Sequence, residues 1–278
     1  MTISRAALLV AWGNAWLAGF VGLDEVVDVV QRGDEPHQVC NELEDGADTA
    51  PLPLALALGQ LRTADATRFQ LALPVPGDVS SLPGPAEMNR LALEAGEVAL
   101  VDGASPCALI PQVTAHGSPI DGYAYSVTWR LVRSAAPHPP EISPRGAAVQ
   151  LTDALREATT MLTQLDVAGA GQQVLDALAR SRDQRPAAGL PAGHPNAAHD
   201  LVARCERLQT LLDLAASDDG AAVTQQELRT RAEVLRTLGT AVRRAQEVAY
   251  SSCEAVAPGR PPAPRGTARS VLDARGSS

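Results

Sequence analysis

Four side chains in one short stretch come nearest to a reaction centre. Residues 74–85 read PVPGDVSSLPGP and lead from an apolar strand segment into a helix start, placing Asp78, Ser80, Ser81 and Glu87 close together in the chain. Carboxylates and hydroxyls beside a helix N-terminus, where free amide N–H groups point outward, could hold a small polar ligand or move a proton. The stretch lacks the glycine spacing of a dinucleotide-binding turn and the GK[ST] of a phosphate loop. The plainer reading is a proline-stiffened surface connection that projects from the scaffold.

A second grouping, HGSPIDG at 116–122, puts His116, Ser118 and Asp121 within six residues and suggests hydrolysis. Catalytic triads, however, are assembled from distant segments, and no G-x-S-x-G occurs; Ser-Pro-Ile-Asp-Gly is ordinary turn chemistry. His116 stays a candidate only as a neighbour of the 74–87 site. The acidic run NELEDGAD at 41–48 fails as a calcium loop because Leu43 stands where an oxygen ligand is needed. Cys40, Cys107, Cys205 and Cys253 lie far apart without C-x-x-C, so neither zinc nor any other metal is indicated. No E-x-x-H occurs for a carboxylate-bridged metal pair either.

The basic residues exclude more than the motifs do. All 23 are arginine, and without lysine there is no Schiff base, no phosphate-loop lysine and no kinase lysine. No cofactor is expected. The net charge of −9 belongs wholly to the N-terminal half, which holds 16 acids against 7 arginines through Arg133; from there on the counts are 16 and 16. With only eight aromatic residues as well, nucleic acid is not the expected partner.

These residues need elements to hold them, and 278 residues suffice for two domains. The uncharged stretch 6–23 approaches a membrane span in length, but Asn14, three glycines and the acids Asp24 and Glu25 favour a buried helix over 4–18. Leu9, Trp12, Trp16 and Phe20 form its stripe, either core or interface. A second short helix is expected with Asp24 as its cap, then an acidic surface loop over 34–48, then a helix over 54–61. Strands are expected at 68–75, 97–101, 107–114 and 123–133, with a helix at 86–95. Short connectors make the strands neighbours in an antiparallel meander with helices on one side.

The AAPHPPEISP joint at 135–144 then separates residues 1–134, an α+β domain of helices on a small, mainly antiparallel sheet, from an all-α helical bundle over 145–257. Within the bundle a helix at 147–165 and a shorter one ending near 180 precede a long antiparallel helical hairpin. Its seams are Leu201, Cys205, Leu208, Leu212 and Ala215 on one helix and Leu228, Ala232, Leu235, Val242 and Ala249 on the other, joined by SDDGA at 217–221. A tail at 258–278, rich in Pro, Arg, Gly and Ser, is expected to be disordered. Together these features describe a cytoplasmic protein that works through protein contacts, by a partner or by self-association through the helical hairpin. The competing reading is a small-molecule binder or acid–base enzyme at 74–87.

Overall fold

The computed structural model describes residues 4–43, 50–118, 122–138, 141–164, 189–217 and 225–254. The expected short helix ending near 180, the 217–221 turn beyond its first residue, and the tail lie outside these residues.

Helix α1, Arg5–Leu17, is apolar on nearly every side and is accordingly buried on nearly every side. The Ser4 hydroxyl accepts from the Ala7 amide at 3.0 Å, and the Glu97 carboxylate accepts from the Ala6 amide at 3.0 Å and from the Ser4 hydroxyl. The start of α1 is thereby tied to the sheet. Its end is closed by Gly19 at φ 81°, which lets Phe20 N–H reach back to Ala15 C=O and Gly19 N–H to Trp16 C=O. The aromatic stripe divides there. Trp16 is buried under the Arg62 guanidinium, Trp12 is half-buried against the core, and Phe20 lies beyond the helix, exposed. No helix among the described residues is long and apolar enough to cross a membrane.

Helix α2, Leu23–Val30, is capped by Gly22 and not by Asp24, which sits with Glu25 in the first turn, where a carboxylate favours the helix dipole. The segment expected to be a surface loop contains strand β1, Gln38–Asn41, with Val39 buried. Strand β2 is only Leu52–Pro53, and helix α3, Leu54–Thr63, follows it directly. Strand β3 spans Ala66–Ala72, α4 spans Ala86–Ala95, and β4, β5 and β6 span Val98–Gly103, Cys107–Ser118 and Gly122–Arg133.

The architecture is α+β. The six strands form one mixed sheet in the order β2-β1-β6-β5-β4-β3, larger than the expected meander. Its consecutive strands β3 to β6 pair antiparallel, whereas β1 pairs parallel with β6, with Val39 opposite Trp129. Side chains alternate between two covered faces, so the helices are not confined to one side. Phe69, Leu71, Ala99, Val101, Leu109, Val127 and Trp129 meet α1, α2 and α3, while Ala72, Val98, Leu100, Ala108 and Ile110 meet Met88, Leu91 and Ala92 of α4.

After the proline-rich joint come α5, Pro144–Gln164, α6, Asn196–Ser217, and α7, Gln225–Ser251. They pack on one another and on the N-terminal half. Leu151, Leu201, Cys205, Val242, Ala245 and Ala249 belong to the same core as Leu9, Phe69 and Trp129, so apolar packing is continuous across residue 144. The expected seam of α7 is met in part, since Val242 and Ala249 are buried. Val234 and Leu238 are buried against Ala158 of α5, whereas Leu235 is half-buried and Ala232 exposed. Leu238→Ala is therefore expected to lower stability by about 2–3 kcal/mol, from the lower part of the range for a buried leucine, and Leu235→Ala by clearly less. Thermal unfolding of the two variants beside exposed Arg236→Ala measures the difference, and equal small losses would place the seam elsewhere.

Candidate functional site

The 74–87 residues divide between two surroundings. Val75 and Asp78 exchange backbone hydrogen bonds of 3.1 and 2.9 Å across Pro76 and Gly77, with Gly77 at φ 88° as the turn requires. Leu82 is buried beneath α4. The connection is thus anchored at Leu82, while Pro76, Gly77, Val79 and Ser80 are exposed. Asp78 faces α7, 3.6 Å from both Arg243 and Arg244, and accepts from the Ser80 hydroxyl at 3.0 Å. Burial raises the Asp78 pKa, but the Ser80 hydrogen bond and the two guanidinium groups outweigh it, leaving the carboxyl below its ordinary value.

Ser81 bonds to Glu247 of α7, whose carboxylate also accepts from the Leu73 amide at 2.7 Å. Burial pushes the Glu247 pKa up, the Leu73 amide and Ser81 oppose it, and the nearby Asp78 charge adds to the rise. Asp78, Ser80 and Ser81 are therefore brought together as a joint between the loop and α7. Glu87 lies elsewhere, on the exposed face of α4 in a pair with Arg90 at 2.6 Å. His116 lies on the exposed outer part of β5 and bonds to Ser126 at 2.8 Å. These five residues do not converge on one cavity.

The densest polar cluster centres on the segment expected to be an acidic surface loop. Arg5 grips Asp34 through Nε at 2.6 Å and a second nitrogen at 2.9 Å; His37 Nε2 lies 3.1 Å from the same carboxylate; and Trp129 Nε1–H donates to His37 Nδ1 at 3.1 Å. Since indole nitrogen can only donate, Nδ1 must be the acceptor, so Nε2 carries the proton and donates to Asp34. His37 is fully buried, and burial lowers its pKa despite the Asp34 carboxylate. At Asp34, burial raises the pKa, but hydrogen bonds from Arg5 and His37 bring it below the ordinary value. The Arg5 guanidinium also lies 5.6 Å from the centre of the Tyr125 ring.

A histidine between a carboxylate and a donor resembles acid–base machinery, but it offers no face to a substrate. Both ring nitrogens are occupied, and the relay joins α1, the segment before β1, and β6. Its sequence signal was the closeness of Asp34 and His37, three positions apart. A second missed signal was Asn14, a lone amide in an uncharged run. It donates to Phe69 C=O at 2.8 Å and accepts from Phe69 N–H at 2.7 Å, pairing with the free edge of β3 as another strand would. Leu71 N–H donates to the Ser251 hydroxyl at 2.9 Å and Leu73 N–H to Glu247, so α1 and α7 together seal that edge.

Two of the hollows that border described residues bear on the candidate sites. One of about 420 Å³ lies beside α4 and β5, bounded by Leu91, Glu94, Glu97, Pro111, Gln112 and Arg130. Arg130 is held by Glu42 at 2.6 Å and Glu94 by Arg90. The other, of about 200 Å³, runs between α5 and α7 and is mainly apolar, lined by Ala154, Ala158, Met161, Val234 and Leu238 with Glu157 and Glu233 at its margin. No cluster among the described residues suits a metal ion. The four cysteines are free, and burial raises the Cys107 and Cys205 thiols to about 11 and about 12, where they are poor nucleophiles.

Comparison with known proteins gives matches along most of the chain. Residues 6–145 match the model for the Rv1486c-like protein N-terminal domain and residues 145–247 that for its C-terminal domain. Two proteins of Mycobacterium tuberculosis, "Uncharacterized protein MT1533" of strain CDC 1551 / Oshkosh and "Uncharacterized protein Rv1486c" of strain ATCC 25618 / H37Rv, are each 25% identical over 274 residues, covering 87% of this chain and 94% of the relative. No solved structure matches.

Proposed function

We propose that this chain, which belongs to the Rv1486c-like family in both of its halves, acts by binding protein in the cytoplasm and catalyses no reaction of its own. One observation carries this reading: the acids and histidine that could have done chemistry are spent on joints between elements. Asp78 and Glu247 fasten a loop to a helix, Asp34 and His37 fasten a strand to a helix, and Glu87 pairs along its own helix. Free thiols suit a reducing compartment.

In this reading the C-terminal helices act as a bundle, α6 and α7 forming an antiparallel hairpin and α5 lying across it. The hollow between α5 and α7 receives an apolar side chain from a partner helix, with Met161, exposed at its rim, as the adaptable contact. Met161→Glu keeps the fold, because the side chain already meets solvent, but places a charge in the contact. Full-length chain purified from its own host should retain a partner that Met161→Glu loses. A partner retained equally by both would remove the groove from the reading.

The competing reading, a small-molecule binder or acid–base enzyme at 74–87, draws support from the raised pKa of Glu247 next to Asp78 and Ser81. Under it, Ser81→Ala and Asp78→Asn would abolish the cellular role while Met161→Glu spared it. Under the reading favoured here the outcomes are reversed.

A further inference from the structure

The sheet treats two of its strand edges in opposite ways. Along β3, the outward N–H groups of Phe69, Leu71 and Leu73 all meet side chains. Along β5, pairing with β4 stops where Ala99 meets Leu109, yet β5 continues to Ser118 in partnership with β6 alone. Alternation then decides which groups are left over. Leu131 and Tyr125, opposite Leu109 and Ala115, use their C=O groups to accept from Glu42 and Glu35 on the far side of β6. Their partners on β5 therefore point away from β6, and so does Val113 between them. Among the described residues, nothing meets the N–H and C=O of Val113 and Ala115.

Charge, a usual protection of a sheet edge, is missing from this one. Residues 111–118, PQVTAHGS, hold no acid, lysine or arginine, although natural sheet edges commonly carry charge. Pro111 supplies no N–H where β4 ends, and the 420 Å³ hollow next to Pro111, Gln112 and Val113 leaves room for another strand.

We propose that the β5 edge at Val113–Ala115 binds the same edge of a second copy of this chain, antiparallel about a two-fold axis at Thr114, joining the two sheets. In that register Val113 lies opposite Ala115 of the partner subunit, and each such pair exchanges two backbone hydrogen bonds, satisfying all the outward groups named. Thr114 meets its own counterpart and Gln112 meets His116 of the partner subunit, both complementary polar pairs. Two copies of a chain with net charge −9 repel at most surfaces, but here neither β5 segment carries a charge, and of the charged groups bordering the hollow Glu94 is paired with Arg90 and Arg130 with Glu42. This contact is separate from the helical groove and stands or falls independently of the partner reading.

Two variants of the full chain test it. Ala115→Pro removes an outward N–H and leaves the β5–β6 ladder its bonds, so the wild type should sediment at twice the 29.0 kDa chain mass and Ala115→Pro at the single mass, with matching circular dichroism. Thr114→Cys should form an intermolecular disulfide under mild oxidation, because residues opposite in a non-hydrogen-bonded antiparallel pair lie close enough to bridge, whereas Gln112→Cys and the wild type should not. If Ala115→Pro fails to fold, the cysteine pair decides alone. A monomeric wild type across a concentration series, an Ala115→Pro dimer as stable as wild type, or equal cross-linking at 112 and 114 overturns the proposal.

Discussion

Asp34→Ala should lower stability by about 3–5 kcal/mol, the cost of breaking a buried ion pair from one side. The Arg5 guanidinium would remain in a site where it is only about a tenth exposed, and His37 Nε2–H would lose its acceptor. Arg5→Met should cost less than Asp34→Ala, because it removes the charge and keeps apolar bulk while leaving His37 to donate to Asp34. Denaturant unfolding of the two variants reads the difference, and a loss below about 1 kcal/mol for Asp34→Ala, the value for an exposed pair, would show that water reaches the cluster.

The same cluster gives a pH dependence of definite sign. His37 and His194 are both buried, with pKa values lowered from 6.5 by burial, so the unfolded chain takes up protons at a higher pH than the folded one. Their contribution to stability is complete above about pH 6.5 and is lost as pH falls from there toward the lowered folded values, at up to about 1.4 kcal/mol per pH unit for each histidine. Protonated His37 would also present a donor to Trp129 Nε1–H, itself a donor. His37→Gln should therefore reduce the slope of stability against pH between 7 and 5, leaving the part due to His194. An unchanged slope would mean that His37 does not govern it.

Asn14→Ala should be comparably damaging. It leaves Phe69 N–H and C=O without partners inside the core, at about 1–3 kcal/mol for each buried group so orphaned. Asn14→Leu, which restores the bulk and not the amide, should rescue little, whereas a packing role alone would let leucine recover most of the loss. Unfolding midpoints of the two variants separate the cases.

Where local chemistry specifies an element, the sequence shows it. The helix at 86–95 was legible at both ends because Glu87 stands in its first turn and Gly96 just beyond its end, and strands β3 to β6 were legible from their apolar runs and turn residues. Strand β1 was not. Its four residues are held by β6, some ninety positions later, and QVCN carries no pattern of its own. The α7 seam was legible only in part, because a three/four-spaced apolar series assumes one neighbour: Val242 and Ala249, expected on it, are buried toward the N-terminal core, whereas Val234 and Leu238, not expected on it, face α5.

At the candidate site the 74–87 residues were identifiable by type, but their use was not. Asp78 is decided by Arg243 and Arg244, which no local rule connects to it. His37 escaped notice because its acidic neighbourhood resembles a solvated loop; only Trp129, 92 positions away, fixes its proton.

The sealing of β3 also orders the events of synthesis. Ser251 and Glu247 lie 180 and 174 positions after the amides they satisfy. At roughly 5–20 residues per second, a ribosome needs about 10–35 s to deliver them after β3 has been made. Throughout that interval α1 can cover Phe69, but Leu71 and Leu73 offer bare N–H groups to any extended strand nearby. The nascent N-terminal half is thus briefly an adhesive object, and completion of the last helix is the step that ends its exposure to aggregation and chaperone capture.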